Sequence, residues 1–534
     1  MSRIKVGLAQ TNPVVGDFVF NSQQILEYCE KAHEAGLDLI VFGELALCGY
    51  PLGDLSYRRD IVSASEAALS DLARETARFE NLTIIVGHVS RSLGPKPEAQ
   101  SSLAIAHNSA SAIRNGQILG SYHKQILPNY DVFDDWRNFV PGSSEFVFEV
   151  AGAKVAIAIC EDIWVQDQTR SNQLRDLGVD LIAVLNGSPY TRTKLEQRFE
   201  AASNFSNGIP LAYVNLCGGQ DELVFDGGSF LLNDQGQVEI SSGLDVGLNH
   251  NLIATPLSPL AQLWNVLVIG LRDYMAKTGQ KKIVLGLSGG IDSALCAALA
   301  VEAIGAENVL GVSLPSRYSS DHSVSDAKDV AESLGIKYRE VPIEPAHRAF
   351  ESMVDLSDLA GENLQARIRA VILMGISNSE GYLLLSTGNK SEVAVGYSTI
   401  YGDSAGGFAP IKDILKTDVW ALSRWLNESS GREVIPSNSI TKAPSAELRP
   451  GQVDQDSLPD YEVLDAILKH LIEEVLNLEE IIALGFDKAL VQKVDALVRN
   501  AEWKRSQGAI GTKTTEVSFG RGRRVPLTTR FRTS

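Results

Sequence analysis

Two groups of residues in this 534-residue chain have the types and placement that chemistry needs. The first centres on Cys160, in the string KVAIAICEDIW. An apolar strand delivers it at its C-terminal end, where the functional groups of α/β folds gather. A thiol is a weak nucleophile until it loses its proton, so it needs a base and a cationic neighbour. Glu44 closes the run LDLIVFGEL and Lys124 follows the reverse turn RNGQ in YHKQILPNY; both stand in contexts that could supply that pair. The acids Glu161 and Asp162, next to the thiol, are out of place in a purely apolar core. Cys29, Cys48, Cys217 and Cys296 fit helix faces or strand ends and read as structural. The second group is LGLSGGIDSA, Leu285–Ala294, which follows an apolar strand and opens a helix. Its small residues let the backbone approach a phosphate, whose charge the helix N-terminus favours. No Lys follows the glycines, so this is not a Walker loop. Asp292 adds a carboxylate where a phosphate would sit. Like charges need a bridging cation, which points to Mg2+.

The elements that must position these residues alternate between strand and helix. Apolar, β-rich runs cover Ile4–Ala9, Leu37–Phe42, Leu82–Val89, Lys154–Ile159, Asp180–Leu185 and Pro210–Asn215, with helices expected over Ser22–Ala35 and Ala64–Phe79. Near-continuous apolar strands with amphipathic helices between them indicate covered sheets in an α/β protein. The Gly-, Ser-, Asn- and Pro-rich stretch at 241–260 reads as a linker. The pattern then restarts: helix Leu260–Met275, strand Lys282–Leu287, helix Ser293–Ile304, and strands Val309–Leu314, Lys337–Val341 and Tyr382–Ser386. We therefore expect an N-terminal unit over 1–245, a linker over 246–260 and a second unit over 261–534, with no internal repeat.

Composition narrows the function. A formal net charge of -18 argues against nucleic-acid binding, which needs a basic face. Five cysteines without a close CxxC pair argue against a disulfide framework or a cysteine zinc site and fit a reducing compartment. The opening MSRIKVGLAQ has no apolar run after its basic residues, and no apolar stretch reaches membrane-spanning length, so a cytoplasmic protein is expected. The locally basic end FGRGRRVPLTTRFRTS reads either as a solvated tail or as a segment facing an anion or a subunit.

The motifs carry a resemblance. SGGIDS resembles the pyrophosphate loop of the N-type ATP pyrophosphatases, which adenylate a carbonyl oxygen with ATP and let ammonia displace AMP. LLLSTGNKSEVAVGYSTIYGD, ENLQARIRA and KRSQGAIGTKTT are similar to the NAD synthetase branch of that family. The resemblance implies ATP contacts at Gly286, Leu287, Ser288, Gly289, Gly290, Ile291, Asp292, Ser293 and Thr387. It implies deamido-NAD contacts at Asn363, Glu392 and Lys513, and metal at Asp292 and Glu392. The family's closing loop often carries prolines where this chain has Ala509–Ile510, which predicts a more mobile loop. In the first half, KVGLAQTNPVVGD, GEL, VFDDWRNFVPG and CEDIW resemble the nitrilase-type glutaminase domain of NAD synthetases. That superfamily uses Glu as base, Lys for the oxyanion and Cys as nucleophile, matched here by Glu44, Lys124 and Cys160. Tyr130, Glu161, Ser188 and Lys194 then fall at glutamine contacts. Asp135 stands where many relatives have Glu, and whether the shorter acid reaches the site is left open.

The resemblance implies an α-β-β-α nitrilase-like sandwich joined to a doubly wound, Rossmann-like parallel sheet. It implies a glutamine-dependent NAD synthetase that uses ATP and Mg2+ and forms a homo-oligomer. An ATP-pyrophosphatase amidotransferase acting on another carboxylate or carbonyl is the alternative. A binding protein without turnover is a third reading, disfavoured by the intact Glu44, Lys124, Cys160 and Asp292.

Overall fold

The computed structural model describes residues 4–94, 96–98, 100–165, 167–520 and 522–523. It divides into two compact units, Met1–Leu257 and Ser258–Ser534.

The first unit is built on strands β1 (Val6–Gln10), β2 (Leu39–Phe42), β3 (Thr83–Arg91), β4 (Ala106–Arg114), β5 (Gln117–His123), β6 (Val147–Val150), β7 (Ala153–Ile159), β8 (Leu181–Asn186) and β9 (Leu211–Asn215). A hairpin, β10 (Cys217–Gln220) with β11 (Leu223–Asp226), and strands β12 (Phe230–Leu232), β13 (Val238–Ser241) and β14 (Gly247–Asn249) complete it. They form two six-stranded sheets, ordered β14-β1-β2-β3-β4-β5 and β13-β12-β9-β8-β7-β6. Leu8, Val41, Ile85, Ala112 and Tyr122 of the first pack against Ile157, Leu185 and Val214 of the second. Helices α1 (Phe18–Glu34) and α2 (Arg59–Glu75) cover the outer face of the first sheet. The short α3 (Asp135–Asn138) follows β5, and α4 (Thr169–Asp176) and α5 (Lys194–Ser206) cover the second sheet. This is the expected sandwich. Because both faces of each sheet are covered, strands such as VAIAI are buried throughout rather than alternating.

Two features depart from the sequence reading. The longest ladder, β4 with β3, runs through AHNSASAIR, which carries no apolar run. Its polar groups satisfy each other across the strands: Ser111 Oγ lies 2.6 Å from Ser121 Oγ, and Ser109 Oγ lies 2.8 Å from His123 Nδ1. The expected linker is not all linker. Gly247–Asn249 pairs antiparallel with Leu8–Gln10 of β1 and closes that edge of the sheet, where an open row of N–H and C=O groups would otherwise stand.

The second unit starts at α6 (Pro259–Lys277), capped by Ser258, whose hydroxyl accepts from Ala261 N. Its sheet comprises β15 (Ile283–Gly286), β16 (Val309–Ser313), β17 (Lys337–Glu340) and β18 (Leu383–Leu384), all parallel, in the order β17-β16-β15-β18. Between the strands run α7 (Ile291–Ile304), α8 (Asp321–Leu334), α9 (Glu344–Glu351) and α10 (Asp358–Glu380), followed by α11 (Lys390–Val395) and α12 (Lys416–Ser430). Residues of α6, α7 and α12 pack with Ile283 and Leu285 on one face; Ile368 and Leu373 of α10 pack with Val284 on the other. The sheet is thus doubly wound. α7 is apolar on every side, as a helix buried between layers should be. The strand order reverses between β15 and β18, and such a reversal opens a crevice beyond the strand ends. Among the described residues no helix is long and apolar enough to cross a membrane. The basic C-terminal string lies outside the described residues beyond Arg523, which pairs with Glu502.

Candidate active sites

In the first unit the predicted residues arrive from four strand ends. Glu44 lies just past β2, Lys124 just past β5, Cys160 just past β7 and Ser188 just past β8. Lys124 Nζ donates to Glu44 Oε1 at 2.7 Å and to Asp135 Oδ2 at 2.6 Å, and these side chains are 0–5% exposed. Asp135 therefore reaches the site despite its length, because α3 begins at it and brings its backbone in. Glu44 accepts two further bonds, from Asn108 Nδ2 to Oε1 at 2.7 Å and from Gly187 N to Oε2 at 2.9 Å, and its own N donates to Asn186 O at 3.2 Å. The turn that carries Glu44 packs against β3 at Gly87, where a Cβ would come within 2.4 Å of Leu45 N. Only glycine fits there.

Cys160 has φ +44, a region that costs a non-glycine residue roughly 1–3 kcal/mol. Asp162 holds the turn. Its Oδ2 accepts from Ile159 N at 2.8 Å and Tyr122 OH at 2.8 Å, and its Oδ1 accepts from Gln125 N and Ile126 N at 3.1 and 2.9 Å. One carboxylate thus ties the cysteine turn to the segment that follows Lys124. Burial pushes the Cys160 thiol well above its usual range; Glu44 adds to this and Lys124 opposes it. Burial also raises Glu44, against Lys124 and its hydrogen bonds. Burial alone would lower Lys124, but Asp135 and Glu44 together leave it well above an ordinary lysine. Lys124 is thus paired with two acids beside a thiol whose ionisation burial opposes.

Of the expected glutamine contacts, Tyr130 and Lys194 act on Glu161, the neighbour of Cys160. Tyr130, half exposed, donates its OH to Glu161 Oε2 at 2.8 Å. Lys194, the first residue of α5, lies over the Trp164 ring at 4.2 Å; burial raises the Glu161 carboxyl, opposed by the Tyr130 hydrogen bond, Lys124 and Lys194. Ser188 is buried, and its N donates to Asn215 Oδ1 at 2.9 Å.

In the second unit, Gly286, Leu287, Ser288, Gly290, Ile291, Asp292 and Ser293 line a cavity of about 310 Å³ at the β15/β18 crevice, together with Thr387 and Glu392. Gly289 does not line it. Its φ is +78 and a Cβ would stand 2.7 Å from Ser323 O, so it lets the loop pass the start of α8. Within the loop, Gly290 N donates to Ser288 Oγ at 3.2 Å and Ser293 Oγ to Gly290 O at 2.9 Å. Asp292 Oδ1 accepts from Asn389 Nδ2 at 2.8 Å, while its Oδ2 pairs with Lys416. Lys416 also lies 3.4 Å from Glu392 Oε1, so one ammonium sits between two carboxylates. Burial and Asp292 push Glu392 up to about 8.

Lys416 and Arg369 were not found by the sequence reading. Arg369 is a cavity-lining guanidinium that burial lowers to about 10, and its Nε donates to Leu314 O at 3.0 Å. It lies in the same ENLQARIRA string that yielded Asn363, so the signal was at hand; Lys416, a lone lysine opening a helix, offered none. Two predicted residues stand apart from the cavity. Asn363 accepts from Thr399 Oγ1 at 2.8 Å. Lys513 is buried and donates to Thr515 O at 2.7 Å. The residues that follow it are tied to Asp413 and Lys390. Asp413 accepts from the N–H groups of Thr514 and Thr515 at 2.7 and 2.8 Å, and Lys390 Nζ bonds Asp413 and Thr515 Oγ1 at 3.0 and 2.8 Å. These bonds fix the loop's far end, beyond Ala509–Ile510.

A sandwich with a buried acid–lysine–cysteine set, followed by a doubly wound sheet with a phosphate-sized loop at its reversal point, defines an amide-cleaving unit joined to a nucleotide-using unit. The family models agree with each half: carbon-nitrogen hydrolase matches residues 5–245 and NAD synthase matches 263–508. The chain is 41% identical to the glutamine-dependent NAD(+) synthetase of Thermotoga maritima over all of both chains. It is 43% identical to that of Synechocystis over 98% of this chain and 99% of the relative. Among solved structures, the glutamine-dependent NAD+ synthetase of Acinetobacter baumannii, in complex with adenosine diphosphate, matches with a TM-score of 0.76, 39% identity and 98% of each chain. The chain belongs to the glutamine-dependent NAD(+) synthetase family.

Proposed function

We propose that the chain makes NAD from deamido-NAD, drawing nitrogen from glutamine and activation from ATP. The first unit, through Leu257, acts as the amidohydrolase and the second, from Ser258, as the synthetase, in a cytoplasmic homo-oligomer. Glutamine binds with its α-amino group toward Glu161, aided by Tyr130, Ser188 and Lys194. Glu44 takes the thiol proton as Cys160 Sγ attacks the side-chain amide carbon. Lys124 stabilises the oxyanion, a contribution of roughly 3–4 kcal/mol when such a donor is preorganised. The proton held by Glu44 passes to the departing nitrogen, ammonia leaves and a thioester remains. Glu44 then takes a proton from water, which attacks the thioester; glutamate and the free thiol result.

In the second unit ATP lies over Gly286–Ser293 and Thr387, with deamido-NAD held by Asn363, Glu392 and Lys513. The nicotinate carboxylate attacks the α-phosphate, pyrophosphate leaves, and ammonia displaces AMP to form NAD. Asp292 and Glu392 suit a hard divalent cation: their carboxylates converge on one ammonium, that of Lys416. Among the described residues no three acidic, histidine or cysteine groups could hold a metal ion, so phosphate oxygens and water would have to complete the shell. When bound, Mg2+ would neutralise phosphate charge.

The observation that carries this reading is the dry Glu44–Lys124–Asp135 set beside a strained Cys160 turn. The test follows NAD, AMP and glutamate together in the purified enzyme with ATP, Mg2+, deamido-NAD and glutamine. Equal amounts of all three are expected. Glutamate without NAD would sink the choice of acceptor.

A further inference from the structure

The largest fully buried side chain of the described protein belongs to no site residue named so far. Arg198 is 0% exposed, on the same face of α5 as Lys194 and one turn later. Its Nη2 donates to Ser188 O at 2.8 Å and Pro189 O at 3.1 Å, and its Nε donates to Ser188 Oγ at 3.1 Å. Asp226, at the end of β11, lies 2.7 Å from Nη2 and is equally dry. Asn215 braces the same loop: its Nδ2 donates to Ser188 O and to Gly227 O, both at 3.0 Å. The residue before Ser188 is Gly187, whose N–H holds Glu44.

We propose that Arg198, paired with Asp226, is a positioning residue for glutamine: it fixes the loop 187–189 and the start of α5, and so sets Ser188 against Lys194 and Glu161. This deepens the glutaminase reading above and rests on it. Arg198 touches no reacting atom. Two arguments favour a positional role over simple cohesion. A buried ion pair is seldom more stabilising than an apolar pair of the same volume, because desolvating both charges offsets their attraction. A guanidinium, however, fixes several acceptors in one plane, which neither an ammonium nor a hydrocarbon can do. Three of its contacts fall on two consecutive loop residues, and Lys194 shares its helix face.

The test compares Arg198→Lys and the double variant Arg198→Met/Asp226→Leu with the wild type in the full-length enzyme. Three quantities are read: kcat and KM for glutamine, ammonia-driven NAD formation, and the alkylation rate of Cys160 by iodoacetamide, which lacks the α-amino acid head. For both variants the glutamine KM should rise about tenfold or more, with kcat within about threefold. Ammonia-driven synthesis and alkylation should stay within about twofold of wild type. An unchanged glutamine KM in Arg198→Lys overturns the proposal, as does an equal fall in kcat, ammonia use and alkylation, which marks a purely structural residue. If the double variant does not fold, Arg198→Lys decides alone. A wild type that releases no glutamate sinks the glutaminase reading itself, whereas a working wild type with an indifferent Arg198→Lys sinks only this inference.

Discussion

Each half buries a lysine between two carboxylates, and the surroundings make the two triads opposite in kind. Glu44, Lys124 and Asp135 are closed off from solvent, with Glu44 further fixed by Asn108 and Gly187. Asp292 and Glu392 keep side-chain exposures of 17% and 18% toward the cavity, and only Lys416 between them is dry. In water-poor surroundings charges act strongly and cannot reorient cheaply. The first triad is thus finished before substrate arrives, as covalent attack on a neutral amide requires. The second is half built: its two acids face a space that a cation and a polyphosphate can share, and their electrostatic balance is completed by what binds.

The sharpest way to break this contrast is Cys160→Ala. It should cut glutamine-dependent NAD formation by about 10⁴-fold or more, and leave ammonia-driven formation within about twofold. A parallel loss with ammonia would show the halves are not separable in this way. Asp292→Asn is the mirror image. AMP release should fall about 10²- to 10³-fold with either nitrogen source, while glutamate release measured without ATP is unchanged. Asp135→Asn probes the closed triad alone. Loosening Lys124 should lower kcat for glutamine by about 10- to 100-fold, and a near-normal rate would mean that Glu44 suffices to hold the lysine.

The smallest effect is in pH. Glu44 works as a base only when ionised, and burial raises its pKa. Activity is therefore present above that pKa and lost as pH falls through it. The acid limb of kcat/KM for glutamine should stand nearer neutrality than the ordinary range of a glutamate, near 4.3. An acid limb at the ordinary position would argue that Glu44 is less desolvated than the structure places it.

What could be read from the sequence follows the same division between closed and open chemistry. Covered parallel strands leave long apolar runs, so β2, β7 and β8 announced themselves, and with β2 and β7 the places of Glu44 and Cys160; Ser188 came from the family resemblance. The hairpin β4–β5 did not, because its Ser and His side chains are satisfied by one another across the ladder and leave no hydrophobic pattern. Only its RNGQ turn was legible, with Asn115 and Gly116 at φ +50 and +79. Lys416 was invisible for a different reason: a lysine at a helix start is ordinary until folding sets it between two acids. The reach of Asp135 stayed open because it depends on where the backbone starts as well as on the side chain.

The strand Gly247–Asn249 carries a practical consequence for anyone dissecting the polypeptide. The carbon-nitrogen hydrolase match ends at residue 245, two positions before this strand begins. A fragment cut at the match boundary would leave β1 with a bare edge and invite self-association, whereas one ending at Leu257 keeps the sheet sealed. The two compact units meet between Leu257 and Ser258, and any gene fission or swap of synthetase halves would have to respect that boundary.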